Sequence, residues 1–323
     1  MSAPVSAEAP LTEQIATMVY SVESLGEPMD GWGWVSDLYR EEATSTLYHY
    51  TSLGGALAIV PKAQLFATEL RYLNDTSEGS HLAALIAGRV TTFMQTPLAE
   101  GQQRLLRQFH PWVLNRMRYG SMVFTASFTR HGDQLSQWRG YGPPGKGVSL
   151  GFNPKTLRET AHAQRFQLGR CIYSRQEHDR MAQAVVEWLL HHADQEDTAP
   201  PTHPDNSFHA LFESVETHLL RASALVKNPA FEEEQEWRVV SEAVGSYREG
   251  SPIRYREGAS MLIPHLLFEL PKGPKGAAVL ERVVVGPTPH PEAARESVHR
   301  FLYGAGSYPS NHVDRSAIPY RAW

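Results

Sequence analysis

The sequence predicts an α+β fold with one main domain. β-prone segments fall early, in the middle and late in the chain, with amphipathic helical stretches between them. Hydrophobic residues make up 41% of the 323, enough to bury a sizeable core. There is no internal repeat or low-complexity block that would point to a solenoid or a disordered chain.

The elements follow in order. Residues 1–45 form a polar N-terminal lead with one helical piece over 11–21 and a turn at Gly31-Trp32-Gly33-Trp34. The α+β domain spans 46–323. Residues 46–51 are dense in β-formers and read as a strand, with Leu47, His49 and Thr51 on one face and Tyr48 and Tyr50 on the other. A helix follows over 53–60, capped by Thr51 or Ser52 and stopped by Pro61. Residues 65–68 form a short strand, and Asn74-Asp75-Thr76-Ser77-Glu78 has the form of a capping box opening a helix over 76–94. A helical stretch over 102–117 precedes strands over 122–128 and 147–152, joined by a loop over 136–146. Two amphipathic helices, near 176–192 and 208–226, flank a Pro/Asp/His linker over 194–206 and read as an insertion, since neither alone could build a core. Strands return over 236–244 and 282–285, then a helix over 291–303 and a last short segment.

Composition excludes several classes. The 30 basic and 35 acidic side chains leave a formal charge of −5, which argues against a protein that coats itself with nucleic acid but not against a local basic groove. Arg104, Arg107, Arg116 and Arg118 are one such cluster, whose simpler reading is a solvated helix face. A single cysteine, Cys171, rules out an intramolecular disulfide and a Cys-rich zinc site, and its apolar neighbours suggest a buried, inert thiol. The N-terminus has neither the basic nor the apolar region of a signal peptide. The apolar runs near 262–270 and 277–285 are too short and interrupted to span a bilayer. A soluble, cytoplasmic protein with no membrane partner is expected.

Standard motifs are missing too. No Gly-Lys-Ser/Thr phosphate loop and no His-Glu-x-x-His helix occurs, and no dinucleotide-binding Gly-x-Gly-x-x-Gly directly follows a strand. Glu187 and His191 stand four apart without completing a ligand set, so no catalytic metal is expected.

Three constellations can carry chemistry. His49 and Thr51 share a strand face and can meet sugar hydroxyls, with Tyr48 or Tyr50 offering an aromatic surface; alternatively the tyrosines face the core and His49 is an ordinary surface residue. In Phe231-Glu232-Glu233-Glu234-Gln235-Glu236-Trp237-Arg238, the carboxylates Glu234 and Glu236 share a face with Arg238 at a strand entrance, while Trp237 and Val239 pack on the other. Paired acids push each other's ionisation apart and so take separate roles; equally, an acidic turn neutralised by Arg238 does no more than solvate the strand start. Trp138, Arg139 and Tyr141 sit among glycines in the 136–146 loop, where they suit a planar base and a phosphate, or only pin the loop.

Taken together, Leu47-Tyr48-His49-Tyr50-Thr51, Leu73-Asn74-Asp75-x-x-Glu78, Ser127, Trp138-x-x-Tyr141, Gly147-x-x-Leu150-Gly151-Phe152, Glu234-x-Glu236-Trp237-Arg238, Val285-Gly286-Pro287 and Ser316-x-Ile318-Pro319-Tyr320-Arg321 resemble a large bacterial family of unassigned function. Thr76 stands where that family has proline. The family in turn looks like the ADP-ribosyltransferase superfold. There a first-strand histidine or arginine holds the NAD ribose, a middle strand carries a hydroxyl, and a later strand opens with Glu-x-Glu or Gln-x-Glu. The matching positions are His49, Ser127 and Glu234/Glu236. Histidine first with serine second mixes two subclasses, which leaves the acceptor open.

The resemblance implies an ADP-ribosyltransferase-like split β-sheet core with helical insertions, one of them at about 176–226. Its cleft binds NAD as a substrate. His49 and Thr51, beside Tyr50 and Ser127, would hold the adenosine ribose, and Trp138 or Tyr141 would stack near the nicotinamide or the acceptor. Glu236 would be catalytic, bonding the ribose 2′-hydroxyl and stabilising the oxocarbenium-like transition state, and Glu234 would serve the acceptor. The acceptor would be a nucleic acid or protein, in a toxin or phage-defence effector with a neutralising or chaperone partner. A catalytically silent nucleotide-sensing or partner-binding module, and an NAD glycohydrolase using water as acceptor, are the alternatives. With a solvent-open strand entrance, Glu236→Gln is expected to change stability by less than about 1 kcal/mol.

Overall fold

The computed structural model describes residues 32–73, 79–142, 145–194, 207–245, 250–309 and 312–319. The expected helix over 11–21, the capping box at 74–78 and most of the linker over 194–206 lie outside the described residues.

The architecture is mixed α and β around a ten-stranded, mostly antiparallel sheet. Its centre is β3 (Phe124–Thr129). One edge of β3 is paired along its length with β6 (Glu236–Ser241), from Thr125 opposite Val240 to Thr129 opposite Glu236. The other edge is shared. β1 (Leu47–Ser52) meets it only at Tyr48 opposite Thr129, and β2 (Gln64–Glu69) only at Thr68 and Glu69 opposite Thr125 and Phe124. Residues 126–128 thus lack a strand partner on that edge, and β1 and β2 part there. Beyond β1 the sheet runs through β4 (Gly147–Phe152) and β9 (Arg282–Val285) to β10 (Val313–Arg315), the last pair parallel. Beyond β2 it runs through β8 (Leu262–Glu269) to the edge strand β7 (Arg254–Glu257). β5 (Phe166–Arg170) pairs with the outer edge of β6.

Strand alternation divides the apolar residues between two faces. On one face Leu47, Phe124, Phe128, Trp237 and Phe268 pack under α2 (Leu53–Lys62), α6 (Pro154–Ala163) and α9 (Pro291–Ala305). On the other, a helical core gathers α1 (Gly33–Asp37), α3 (His81–Phe93), α4 (Glu100–Tyr119), α7 (Arg175–His191) and α8 (His209–Ser223) over Val240. Tyr48, Tyr50, Trp138 and Val284 form a third, small cluster.

Several expectations change. Residues 135–141, read as loop, form α5 (Leu135–Tyr141), because burying Gln137 and Trp138 outweighs the cost of Gly140 in a helix. α2 continues past Pro61 to Lys62 and ends at Ala63 in the left-handed region (φ 49°), since a proline one residue from the end disturbs only the last turn. Ser52 caps α2, its Oγ accepting from the Gly55 N–H at 2.9 Å. The helices α7 and α8 do intervene between the paired strands β5 and β6, yet they share a core with α3 and α4. Arg116 of the basic cluster is ion-paired to Glu213 and Glu216 of α8. Among the described residues, no helix is long and apolar enough to cross a membrane.

Candidate functional site

Where β1 and β2 part, a cleft of about 750 Å³ opens. Its walls come from β1, α2, β2, β3, α5, β6 and the β7–β8 wing.

His49 sits at the gap. Its Nδ1 lies 3.0 Å from the Ser127 carbonyl, one of the β3 residues without a strand partner on this edge. A carbonyl only accepts, so Nδ1 carries the proton, and in the neutral ring Nε2 is an acceptor. Burial lowers the His49 pKa despite the bond to Ser127, which keeps the ring neutral at pH 7. The site thus uses the backbone of Ser127 to fix His49, while its side chain shares the face of Arg238, its cross-strand partner. Thr51 lines the cleft beside Gly55, where a Cβ would fall 2.1 Å from Thr51 Oγ1; only glycine lets α2 start this close. Thr125 Oγ1 also lines the cleft and is buried without a hydrogen-bond partner among the described residues.

The carboxylates occupy the opposite wall. Pro229–Glu234 forms a 3₁₀ turn, and Gln235 in the left-handed region (φ 43°) swings the chain into β6. Glu234 and Glu236 both reach Lys227, which follows α8: its Nζ is 2.6 Å from Glu234 Oε2 and 2.5 Å from Glu236 Oε2. Arg238 grips Glu236 with two nitrogens, Nε to Oε1 at 2.7 Å and Nη2 to Oε2 at 3.1 Å, and donates through Nη1 to the Ala224 carbonyl at 2.9 Å. The Glu236 N–H donates to the Tyr173 hydroxyl at 2.9 Å. Two cations and two anions thus neutralise one another inside the wall.

This overturns the expected solvent-open strand entrance. The Glu236 side chain is only 5% exposed and Glu234 14%, because the 3₁₀ turn and Lys227 cover the start of β6. Burial would raise the Glu236 carboxyl, but Arg238 and Lys227 outweigh it and hold the pKa down at about 2. Glu234 goes the other way: burial lifts it above the usual carboxylate range despite Lys227. Burial also works against the Lys227 ammonium, yet Glu236 and Glu234 hold its pKa above the usual lysine range.

The aromatic residues divide. Tyr141, closing α5, lines the cleft, and burial together with the negative Glu236 and Glu234 raises its pKa, so the phenol stays protonated. Trp138 is buried away from the cleft, its ring edge-on to Tyr50 at 4.5 Å between centroids and its Nε1 donating to Asp133 Oδ1 at 2.8 Å. It presents no face for stacking, a correction to the sequence expectation. Tyr50 borders the cleft, but its hydroxyl donates to the His131 carbonyl at 2.7 Å and accepts from the Gln134 N–H at 3.0 Å, so it packs rather than offering a surface. Asp133 also accepts from Ser316 Oγ at 2.6 Å and the Ala317 N–H at 2.7 Å, which docks the Ser316-x-Ile318 part of the terminal motif; Tyr320 and Arg321 lie outside the described residues.

Sequence reasoning missed Lys227, Tyr173 and the whole β7–β8 wall with Arg254, Arg256 and His265. Lys227 follows an amphipathic helix like any surface lysine, and only the fold of Asn228–Gln235 brings it to the glutamates.

Residues 137–239 match a family model described as a protein of unknown function (DUF2971). That stretch contains Tyr141, Lys227, Glu234, Glu236 and Arg238, and leaves out the His49 and β7 walls. No curated protein and no solved structure matches the chain.

Proposed function

We propose that the chain binds NAD in this cleft and transfers its ADP-ribose to a macromolecular acceptor. The observation that carries this reading is that His49 and the carboxylates Glu234 and Glu236, residues far apart in sequence, line one cleft at a parting of strands. The acceptor atoms there, His49 Nε2 and Thr125 Oγ1, suit ribose hydroxyls. In the proposed reaction the bond from the ribose C1′ to the nicotinamide nitrogen breaks, and its electron pair stays on the ring, which leaves neutral. The acceptor's oxygen or nitrogen bonds to C1′, and its proton passes to Glu234, whose raised pKa suits it as a base. Glu236 offers negative charge to the oxocarbenium-like transition state, with Lys227 and Arg238 setting its position. Such chemistry would fit a toxin or defence effector.

A second reading has its own support: both Glu236 oxygens are already engaged, as in a structural ion pair, which favours a module that binds the nucleotide without turnover. Incubation with NAD separates the readings. Nicotinamide release with ADP-ribose attached to protein or nucleic acid supports transfer, and free ADP-ribose alone supports hydrolysis. Calorimetric binding of NAD without release supports the silent module, and no binding at all ends every NAD reading.

A further inference from the structure

The far wall of the cleft has a chemistry that the proposed NAD reaction does not use. Arg254 and Arg256 stand two apart on β7, so both point to one face, and the register places them beside His265 and Ile263 of β8. His265 pairs with Thr68 and Leu267 with Phe66, which puts Phe66 on that face too. Phe66 is 53% exposed, and its ring packs on the imidazole of His265 at 4.2 Å between centroids. Neither guanidinium has an ion-pair partner among the described residues, and Arg256 Nε is buried without a hydrogen-bond acceptor there. Burial and the two arginines lower the pKa of His265, so it adds an uncharged donor or acceptor rather than a third charge.

Distance decides what this wall holds. Arg254, His265, Thr68, Thr125 and Val240 form one row of cross-strand partners from β7 to β6. Four steps of about 4.8 Å, and four residues along β6 to Glu236, put the Arg254 backbone on the order of 20 Å from that carboxylate. In NAD the pyrophosphate adjoins the reacting ribose, so a dinucleotide reacting at Glu236 has its charge well short of β7. A phosphate at the arginines belongs to a longer chain of nucleotides.

We propose that the β7–β8 wing is a binding surface for single-stranded nucleic acid, with Arg254 and Arg256 on backbone phosphates and one base stacked on Phe66. An arginine beside an exposed aromatic is the combination that holds single strands, whose bases are open to stacking. The acidic net charge argues against attraction over the whole surface and leaves it to local basic sites such as this wall. The surface stands on its own geometry; that its ligand is also the acceptor rests on the proposed transfer reaction.

The test is fluorescence anisotropy with a short fluorescein-labelled oligonucleotide of mixed sequence, in DNA and RNA form, without NAD. The wild type binds. The double variant R254A/R256A binds at least tenfold more weakly, and its dependence of log Kd on log salt falls by about 1.4, the share of two phosphates. Phe66→Ala weakens binding about tenfold. All variants melt like the wild type, since Arg254 and Arg256 are on the edge strand β7 and the Phe66 side chain is 53% exposed. No oligonucleotide binding, equal binding by the variants, or a preference for duplex overturns the proposal. So does loss of ADP-ribose affinity in R254A/R256A, which assigns the arginines to the dinucleotide. Nicotinamide release, measured separately, keeps the readings distinct. Release without oligonucleotide binding sinks this surface and leaves the NAD reading standing, whereas arginine-dependent binding without release does the reverse.

Discussion

Glu236→Gln separates a structural carboxylate from a catalytic one. The amide keeps the shape of the side chain but removes the charge between Arg238 and Lys227, in a place only 5% exposed. A carboxyl pKa of about 2 against an ordinary 4.5 corresponds to roughly 3 kcal/mol of stabilisation at neutral pH. Breaking one side of a buried ion pair costs about 3–5 kcal/mol, which agrees. At roughly 2–4 °C per kcal/mol, the variant should melt about 5–10 °C below the wild type at pH 7. The sign with pH follows from the lowered pKa. The stabilisation is complete above about 4.5, the unfolded value, and is lost as pH falls towards 2, so the gap between the two proteins narrows in acid. Melting by circular dichroism over that range, with nicotinamide release measured on the same samples, reads both roles. A variant that melts within a degree of the wild type at pH 7 would refute the buried-pair reasoning. One that loses stability yet turns over NAD normally would leave Glu236 a purely structural residue.

Lys227→Met leaves Glu234 and Glu236 facing each other without their shared cation and should cost about 3–5 kcal/mol. The loss should shrink as pH falls, because Glu234, already raised by burial, takes up a proton more readily without the Lys227 cation, which melting against pH checks. His49→Ala should weaken NAD binding by about 1–2 kcal/mol in calorimetry, the cost of one or two polar contacts. Because burial lowers the His49 pKa, the unfolded chain binds the proton first. His49 should therefore subtract from stability only as pH falls below about 6.5, and His49→Ala should remove that part of the pH dependence. Asp133→Asn loosens the three donors from Trp138, Ser316 and Ala317. It should cost about 1–2 kcal/mol and speed proteolysis after β10 without changing NAD affinity.

Much of the framework is legible in the sequence because it rests on local rules. The alternation in Leu47–Ser52 separates Leu47 and His49 from Tyr48 and Tyr50, and the structure keeps that division, with Leu47 in the sheet core and the tyrosines in their own cluster. Trp237 and Val239 enter the core while Glu236 and Arg238 turn from it, as period two demands. Single-residue signals mislead where tertiary burial competes with them. Glycines around Trp138 suggest a loop, but Trp138 is wanted in the cluster with Tyr50 and carries its segment into a helix. Pro61 suggests a stop, but it falls where a helix has little left to lose.

The electrostatics of the site could not be read in this way, because they come from non-local pairing. An acidic run ahead of a strand looks solvated until something covers it, and what covers Glu236 is Lys227, held by a turn whose shape depends on the left-handed Gln235. The same carboxylate that looked exposed and reactive is held at about 2 by two cations, while Glu234, two residues away, is pushed upward by burial. Their order in the sequence suggests Glu236 as the residue that reacts. In the proposed reaction, the upward shift of Glu234 suits it to the role of base, and the paired, buried Glu236 suits that of a fixed charge beside it. Parallel measurements on Glu234→Gln and Glu236→Gln test that division: the first should lose acceptor modification with little change in melting, and the second should lose stability as well.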